Sequence, residues 1–301
     1  RRATDSEVEG SSPSRPTKSN FMFNICIIKP NKYIHSDAYL EIAELLNYSI
    51  LELKKKSTIV YNFIDTNLNT KNIIFGTHLL NEELIKSIPK NSIVFNTEQL
   101  ESINEVWKKR IIFFAKQGIE LWDYSSFNLD FLKQELKIKG KLFEIGYQNK
   151  LERIKSKNEK EIDVLFYGSI NKRRKQIINK LLKNKIKVKC LFGVYGKERD
   201  EWISRSKIVL NLHMYESKIF EIIRVFYLLT NGISVISEFD KNTKFNTKLI
   251  NGVKHCTYDE IEKNIIFLLE NDKERLNLGI NGNNLIKKYP QEYFTKSILE
   301  L

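Results

Sequence analysis

The sequence predicts an α/β protein built from two Rossmann-like, doubly wound parallel-sheet domains that face each other across a cleft. Three observations carry this expectation. Short apolar runs recur from Phe21 onward, most of them followed by a helical pattern, which is the rhythm of βα units covering both faces of a parallel sheet. A charged, weakly apolar stretch from Asn149 to Lys160 interrupts the rhythm once, near the middle. The length, 301 residues with 42% apolar, leaves room for two cores.

Residues 1–21 are rich in Ser, Pro, Glu and Arg and lack Ile and Leu. Such a composition cannot bury a core, so a disordered tail or added segment is expected, with Met22 as the natural start. The first domain is expected over 22–148. Its strands fall at Asn24 to Ile28, Thr58 to Ile64, Ile73 to Thr77, Ile93 to Asn96, Ile119 to Tyr124 and Leu142 to Gly146. A helix capped by Ser36 runs through Leu46, with Leu40, Ala43 and Leu46 on one face, and another spans Asn128 to Lys137. Residues 149–160 read as a linker.

The second domain is expected over 161–289. Strands are placed at Asp163 to Tyr167, Val188 to Phe192, Ile208 to Leu212 and Ile233 to Ser237. Helices are placed at Arg173 to Lys183, Lys197 to Arg205, Ser217 to Leu229, Ile261 to Glu270 and Glu274 to Lys288. A last helix, 290–301, opens on Pro290.

Composition narrows the function classes. No apolar run reaches the 18 residues of a membrane span, and the first residues show no secretory pattern. The balance of 50 basic to 37 acidic residues leaves +13. That field suits anionic partners, although general enrichment in Lys, Asn and Ile would raise charge everywhere. From Lys172 to Lys189 the basic residues have no acidic neighbour. Cys26, Cys190 and Cys256 lie far apart, without CxxC or a His at ligand spacing. Cys26 and Cys190, inside apolar strand patterns, read as small core residues of a reducing, cytoplasmic setting, and no metal site is expected.

The most informative stretch is Tyr167-Gly168-Ser169 followed by Lys172-Arg173-Arg174-Lys175. A strand end, a glycine turn and a helix start beneath guanidinium groups make a pocket for phosphate oxygens; the plainer alternative is a solvated surface loop. Three further strand ends carry polar groups. Phe192-Gly193-Val194-Tyr195-Gly196 suits close approach to a base or ribose, with Tyr195 free to stack, or is only a turn. Asn211, His213 and Glu216 follow the next strand. Glu221 and Arg224 share one face of an otherwise apolar helix, as an internal ion pair or as ligands of ribose and diphosphate.

Taken together, these residues resemble the nucleotide-sugar domain of GT-B glycosyltransferases, in particular the family-1/CgeB-like group. The elements Phe166–Ser169, Arg173-Arg174, Phe192–Gly196, Leu210–His213 and Phe220–Arg224 stand in that group's order, with Asn96–Gln99 and Trp122–Ser125 upstream. The resemblance covers about residues 90–240. It implies transfer of a sugar from a nucleotide diphosphate donor held by the second domain, with the acceptor, a glycan, lipid or protein, on the first. Donor contacts would come from Gly168, Ser169, Arg173, Arg174, Tyr195, His213, Glu221 and Arg224. Retaining members carry two glutamates eight residues apart; here Ile219 and Tyr227 occupy those places, so the stereochemistry stays open.

Departure of a nucleoside diphosphate builds negative charge, which cations and a helix N-terminus can stabilise without a divalent metal. No cofactor is expected beyond the donor itself. Catalytic candidates are Glu98, Asp123 and His213, with His35 and Asp37 after the first strand. Amphipathic basic helices allow peripheral membrane contact. Two rivals remain: a nucleic-acid binder using the face from Lys172 to Lys189, for which no motif is present, and an inactive nucleotide-binding scaffold of the same fold.

Overall fold

Crossovers of a dozen or more residues return the chain to the same end of a sheet, and parallel pairing follows. The computed structural model describes residues 21–155, 157 and 159–301. The expected tail, up to residue 20, lies outside the described residues, as do positions 156 and 158 of the expected linker.

The first sheet comprises β1 (Met22–Ile27), β2 (Lys56–Tyr61), β3 (Thr70–Phe75), β4 (Ile93–Asn96), β5 (Glu120–Asp123) and β6 (Lys141–Leu142). Their order is β2-β1-β3-β4-β5-β6, all parallel. Around it lie α1 (Leu40–Glu52), α2 (Glu82–Lys86), α3 (Glu105–Lys116) and α4 (Ser126–Leu136). Ile25, Cys26 and Ile27 on β1 and Ile73, Ile74 and Phe75 on β3 are fully buried on both faces, as central parallel strands require.

The second sheet comprises β7 (Ile162–Tyr167), β8 (Val188–Leu191), β9 (Ser206–Asn211), β10 (Val235–Glu238) and β11 (Lys254–Cys256), ordered β11-β10-β9-β7-β8 and again parallel. Its helices are α5 (Lys172–Lys183), α6 (Gly196–Ser204), α7 (Ile222–Thr230), α8 (Ile261–Glu270) and α9 (Asp272–Ile286), and α10 (Gln291–Leu299) follows last in the chain. The winding reverses between β1 and β3 in one sheet and between β7 and β9 in the other. At such switch points, the carboxyl ends of the strands leave a crevice for ligands.

Several elements depart from expectation. Ser36 does not cap a helix: it lies in a 3-10 turn (Ile34–Tyr39), its hydroxyl donates to the Ile28 carbonyl at 2.7 Å, and α1 begins only at Leu40. Neither α3 nor β11 was anticipated. Asn104 caps α3 by accepting from the Trp107 amide. The helix expected from Ser217 starts at Ile222. The preceding backbone is claimed by a distant partner, with Phe220 N donating to Lys244 O and Lys244 N to Lys218 O, both at 2.9 Å. Glu221 therefore stands just before α7 rather than within it.

The last helix leaves the second lobe. Pro290 sits outside α10, and Tyr147 N donates to Tyr289 O while Gln291 N donates to Tyr147 O, both at 2.8 Å. Gln291 Oε1 accepts from Gly146 N at 2.6 Å, and Thr295 meets Ser49 of α1 at 2.7 Å. So α10 packs on the first lobe, and the chain crosses between lobes a second time.

Candidate functional site

The strand ends of both sheets open into one cleft of about 410 Å³. On its second-lobe wall, β7 ends at Gly168, whose φ of +127° favours glycine; a Cβ there would stand 3.1 Å from Arg224 Nη2. Asn171 caps α5 through Arg174 N at 2.9 Å, which turns the Arg174 side chain inward. Its guanidinium donates to Ser169 O at 2.8 Å, to His213 O at 3.3 Å and to Leu212 O. Arg224, from the first turn of α7, donates to Asn211 Oδ1 at 3.0 Å and lies over the Tyr167 ring. Among the described residues, no carboxylate stands within 4.0 Å of either guanidinium. Burial, and then the neighbouring Arg224, depress Arg174 to about 10. Glu221 and Glu238 support the Arg174 charge only from beyond contact distance and are outweighed, so two like charges held together favour an anion between them.

Arg173, the other half of the expected pair, points elsewhere. It makes a two-pronged ion pair with Glu238, which is 1% exposed, and packs 4.0 Å from the Tyr258 ring centroid. It does not line the cleft. The ring of His213 is also outside the lining. It is enclosed between Glu221 (Nδ1 to Oε1, 3.1 Å) and Thr243 (Nε2 to Oγ1, 3.1 Å). Burial opposes a charge on this imidazole, but Glu221 and then Glu238 outweigh it and raise its pKa. Burial would likewise raise Glu221, yet His213, Arg224 and Asn211 hold it below its usual range. Both partners shift in the sense of an ion pair. Glu221 faces the cleft with His213 behind it, so His213 positions the carboxylate and does not touch the cavity.

The first-lobe wall is carried by the loop after β4. Glu98 N donates to Asn96 Oδ1 at 3.1 Å, and Glu98 O accepts from Asn96 and Asn128 at 2.9 and 2.7 Å. This frame aims the carboxyl into the cleft, where it accepts from Tyr39 Oη at 3.4 Å. Burial pushes Glu98 up to about 7, against the lowering effect of that hydrogen bond. His78 lies 3.9 Å away, but burial and then Arg110 hold it down to about 4, so it is neutral. Asp123 is fully buried behind this loop and binds the Asn96 and Asn128 amides and Ser125 N. It braces the Glu98 loop from outside the cleft. Burial raises it to about 7 despite those donors. Asp37 pairs with Lys29 at 2.7 Å, away from the cavity.

Several contacts join the lobes around the cleft. Tyr195 Oη meets His35 Nδ1 at 2.8 Å. Gln99 donates to Ile219 O at 3.1 Å and accepts from Ser217 Oγ at 2.5 Å. Arg199 of α6 binds Glu41 of α1 at 2.8 Å. Sequence reasoning missed Arg199, Glu41, Tyr39 and Trp107. Arg199 stands in a helix that reads as charged surface, and Trp107 in a helix that was not anticipated; only the Asn104 cap ahead of it could have flagged it.

No family model matches the chain. Uncharacterized protein L137 of Acanthamoeba polyphaga mimivirus is 24% identical over 277 residues, which are 87% of this chain and 35% of that protein. Uncharacterized protein R358 of the same virus is 31% identical over 208 residues, 67% of this chain and 66% of that protein. The chain thus spans about a third of the length of the first relative. Among solved structures, sucrose-phosphate synthase from Thermosynechococcus elongatus superposes with a TM-score of 0.56 at 10% identity, over 92% of this chain and 97% of that one. T4 phage BGT in complex with UDP and Mn2+ also gives 0.56, at 12% identity over 93% and 99%. The fold is GT-B. Anabaena HepE in complex with UDP shares this GT-B arrangement, with a TM-score of 0.53 at 9% identity over 93% and 99%. Among the described residues, no helix is long and apolar enough to cross a membrane.

Proposed function

We propose that this chain is a glycosyltransferase that moves a sugar from a nucleoside diphosphate donor to an acceptor hydroxyl. The observation that carries the reading is the pair Arg174 and Arg224, buried or half-buried beside Gly168 without carboxylate partners, at the mouth of the second sheet. The diphosphate lies between these guanidiniums, while Tyr195 and its loop border the nucleoside. Glu221, kept ionised by His213, accepts hydroxyls of the ribose or sugar. UDP bound to T4 phage BGT and to HepE, proteins of this fold, supports a nucleotide donor. The motif order supports the CgeB-like group.

In the transfer, the acceptor oxygen bonds to the anomeric carbon and the bond from that carbon to the β-phosphate oxygen breaks. The leaving oxygen keeps the electron pair, and Arg174 and Arg224 receive the growing charge. Glu98 takes the acceptor proton. A displacement assisted by such a base inverts the anomeric centre, so the anomer of the product reads out this part of the reading. Three free cysteines, two buried and one half-buried, fit a reducing, cytoplasmic setting.

The test is melting in the presence of UDP-, GDP-, ADP- and CMP-sugars. At 100 times Kd, a ligand of the native state adds about 2.7 kcal/mol. Arg224→Ala should weaken binding of the stabilising nucleotide by about 10- to 100-fold, since charge-assisted bonds contribute about 1.5–3 kcal/mol. Arg173→Ala should leave that affinity near the parent's, yet cost about 3–5 kcal/mol of stability by orphaning the buried Glu238. Failure of all four donors to raise the melting temperature would sink the proposal.

A further inference from the structure

The two walls of the cleft differ in chemistry. The first lobe lines it with the rings of Tyr33, Tyr39, Trp107 and Tyr124 and with the carboxylates of Glu41 and Glu98. No Lys or Arg of that lobe lines it among the described residues. Every guanidinium of the lining, from Arg174, Arg199 and Arg224, belongs to the second lobe.

None of those cations is left over for the acceptor. Arg199 is held by Glu41 and Asp200 at 2.8 and 2.7 Å. Arg174 and Arg224 face the leaving diphosphate in the reading above. The Glu98 side chain is 16% exposed and, among the described residues, the one ionisable base within 4.0 Å of it is the neutral His78. Once Glu98 has given up its proton, above about pH 7, a phosphate, sulfate or carboxylate on the acceptor would therefore meet an unpaired like charge. An alkyl chain fits poorly as well, because Glu98, Thr97 and Gln99 interrupt the aromatic surface with polar groups.

A sugar ring matches both parts of this wall. Its C–H face packs on an aromatic ring, and its rim hydroxyls meet the Glu98 carboxyl and the Thr97 hydroxyl. Trp107 and Tyr33 are half-buried and so keep surface for such packing. Resting on the sugar-transfer reading, we propose that the acceptor is an uncharged carbohydrate, bound on the first-lobe wall between Trp107 and Glu98.

The experiment uses the full chain with the nucleotide sugar that stabilises it best. The acceptors are neutral oligosaccharides, the same sugars bearing phosphate, sulfate or carboxylate, simple alkyl alcohols, phospholipid vesicles and duplex DNA. Neutral sugars should exceed each charged counterpart by about tenfold or more in kcat/KM. Trp107→Ala should raise the KM for the neutral acceptor about tenfold, with the same nucleotide sugar still raising the melting temperature of the variant. Equal or better use of a charged sugar, an alcohol, a lipid or DNA overturns the inference, as does donor hydrolysis with no transfer to any neutral sugar. Failure of the underlying reading looks different, since then no nucleotide stabilises the protein and no donor is turned over.

Discussion

Glu98 owes its chemistry to its surroundings rather than to its residue type. Held into the cleft by Asn96 and Asn128 and largely shielded from water, it keeps its proton to about pH 7, whereas the unfolded chain loses it near 4.5. A base is competent only when ionised, so kcat/KM should rise with pH through about 7 and level off above it. The stability effect has the opposite sense. Between those two pKa values the folded state binds more protons, so the contribution is full below about 4.5 and is lost as pH rises through 7. Glu98→Gln removes the charge but keeps the shape. It should lower turnover about 10²- to 10⁴-fold while melting higher than the parent at pH 8, by at most about 3 kcal/mol of stability. A variant that loses activity and also melts lower at pH 8 would assign Glu98 a structural role.

The elements were legible where local pattern decides them and illegible where a distant partner does. The apolar runs of β1, β3, β4, β7 and β9 and the glycine turn after β7 stand out, because burial on both faces and a positive φ constrain residue type directly. The start of α7 did not, because pairing with residue 244 overrides the helical pattern of Ser217–Phe220. Arg173 and Arg174 cannot be told apart by motif: a helix turns neighbours about 100° apart, and only Glu238, far along the chain, decides which one is drawn away. Nor does a sequence announce that α10 belongs to the first lobe. That crossing depends on Gly146, where a Cβ would lie 2.2 Å from Tyr289 O. Gly146→Ala should force the two chain segments apart, break the Tyr147–Tyr289 and Gln291–Gly146 bonds, and cost about 1–3 kcal/mol. Denaturant titration would measure the loss, and faster hydrogen exchange should be concentrated in α1 and α10. An unchanged midpoint would mean that the crossing adapts freely.

At the scale of the molecule, the question is what holds the two lobes at a fixed opening. The strongest candidate is the charge cluster beneath the cleft. Arg199 joins Glu41 of the first lobe to Asp200 of its own helix and lies over the Tyr227 ring. Arg153, on the connecting segment, reaches Glu44 at 2.8 Å and Tyr227 Oη at 2.9 Å. Burial works against the charge on Arg199, yet Glu41, Tyr167 and Asp200 overcompensate and raise its pKa. Glu41 and Arg199 are 4% and 5% exposed, so Arg199→Met takes the close partner from a buried carboxylate, a loss of about 3–5 kcal/mol, whereas Glu41→Gln leaves Arg199 on Asp200 and should cost less. Arg153 lies 3.9 Å from Glu41 and should soften the loss in Arg199→Met. The double variant leaves neutral groups of similar size and should recover much of the stability, because replacing both members of a buried pair is often neutral. A thermodynamic cycle over these variants should therefore give a coupling above about 1 kcal/mol. Recovered stability need not restore the cleft: without the Glu41–Arg199 tie, the opening is set by the remaining contacts, among them Tyr195–His35, Gln99–Ile219, Lys244–Glu101 and the Arg153 bridge. The double variant should then melt near the parent but bind its nucleotide more weakly, since part of the binding energy goes to fixing the lobes. Additive single losses, or parental affinity in the double variant, would show that the cluster only fills space.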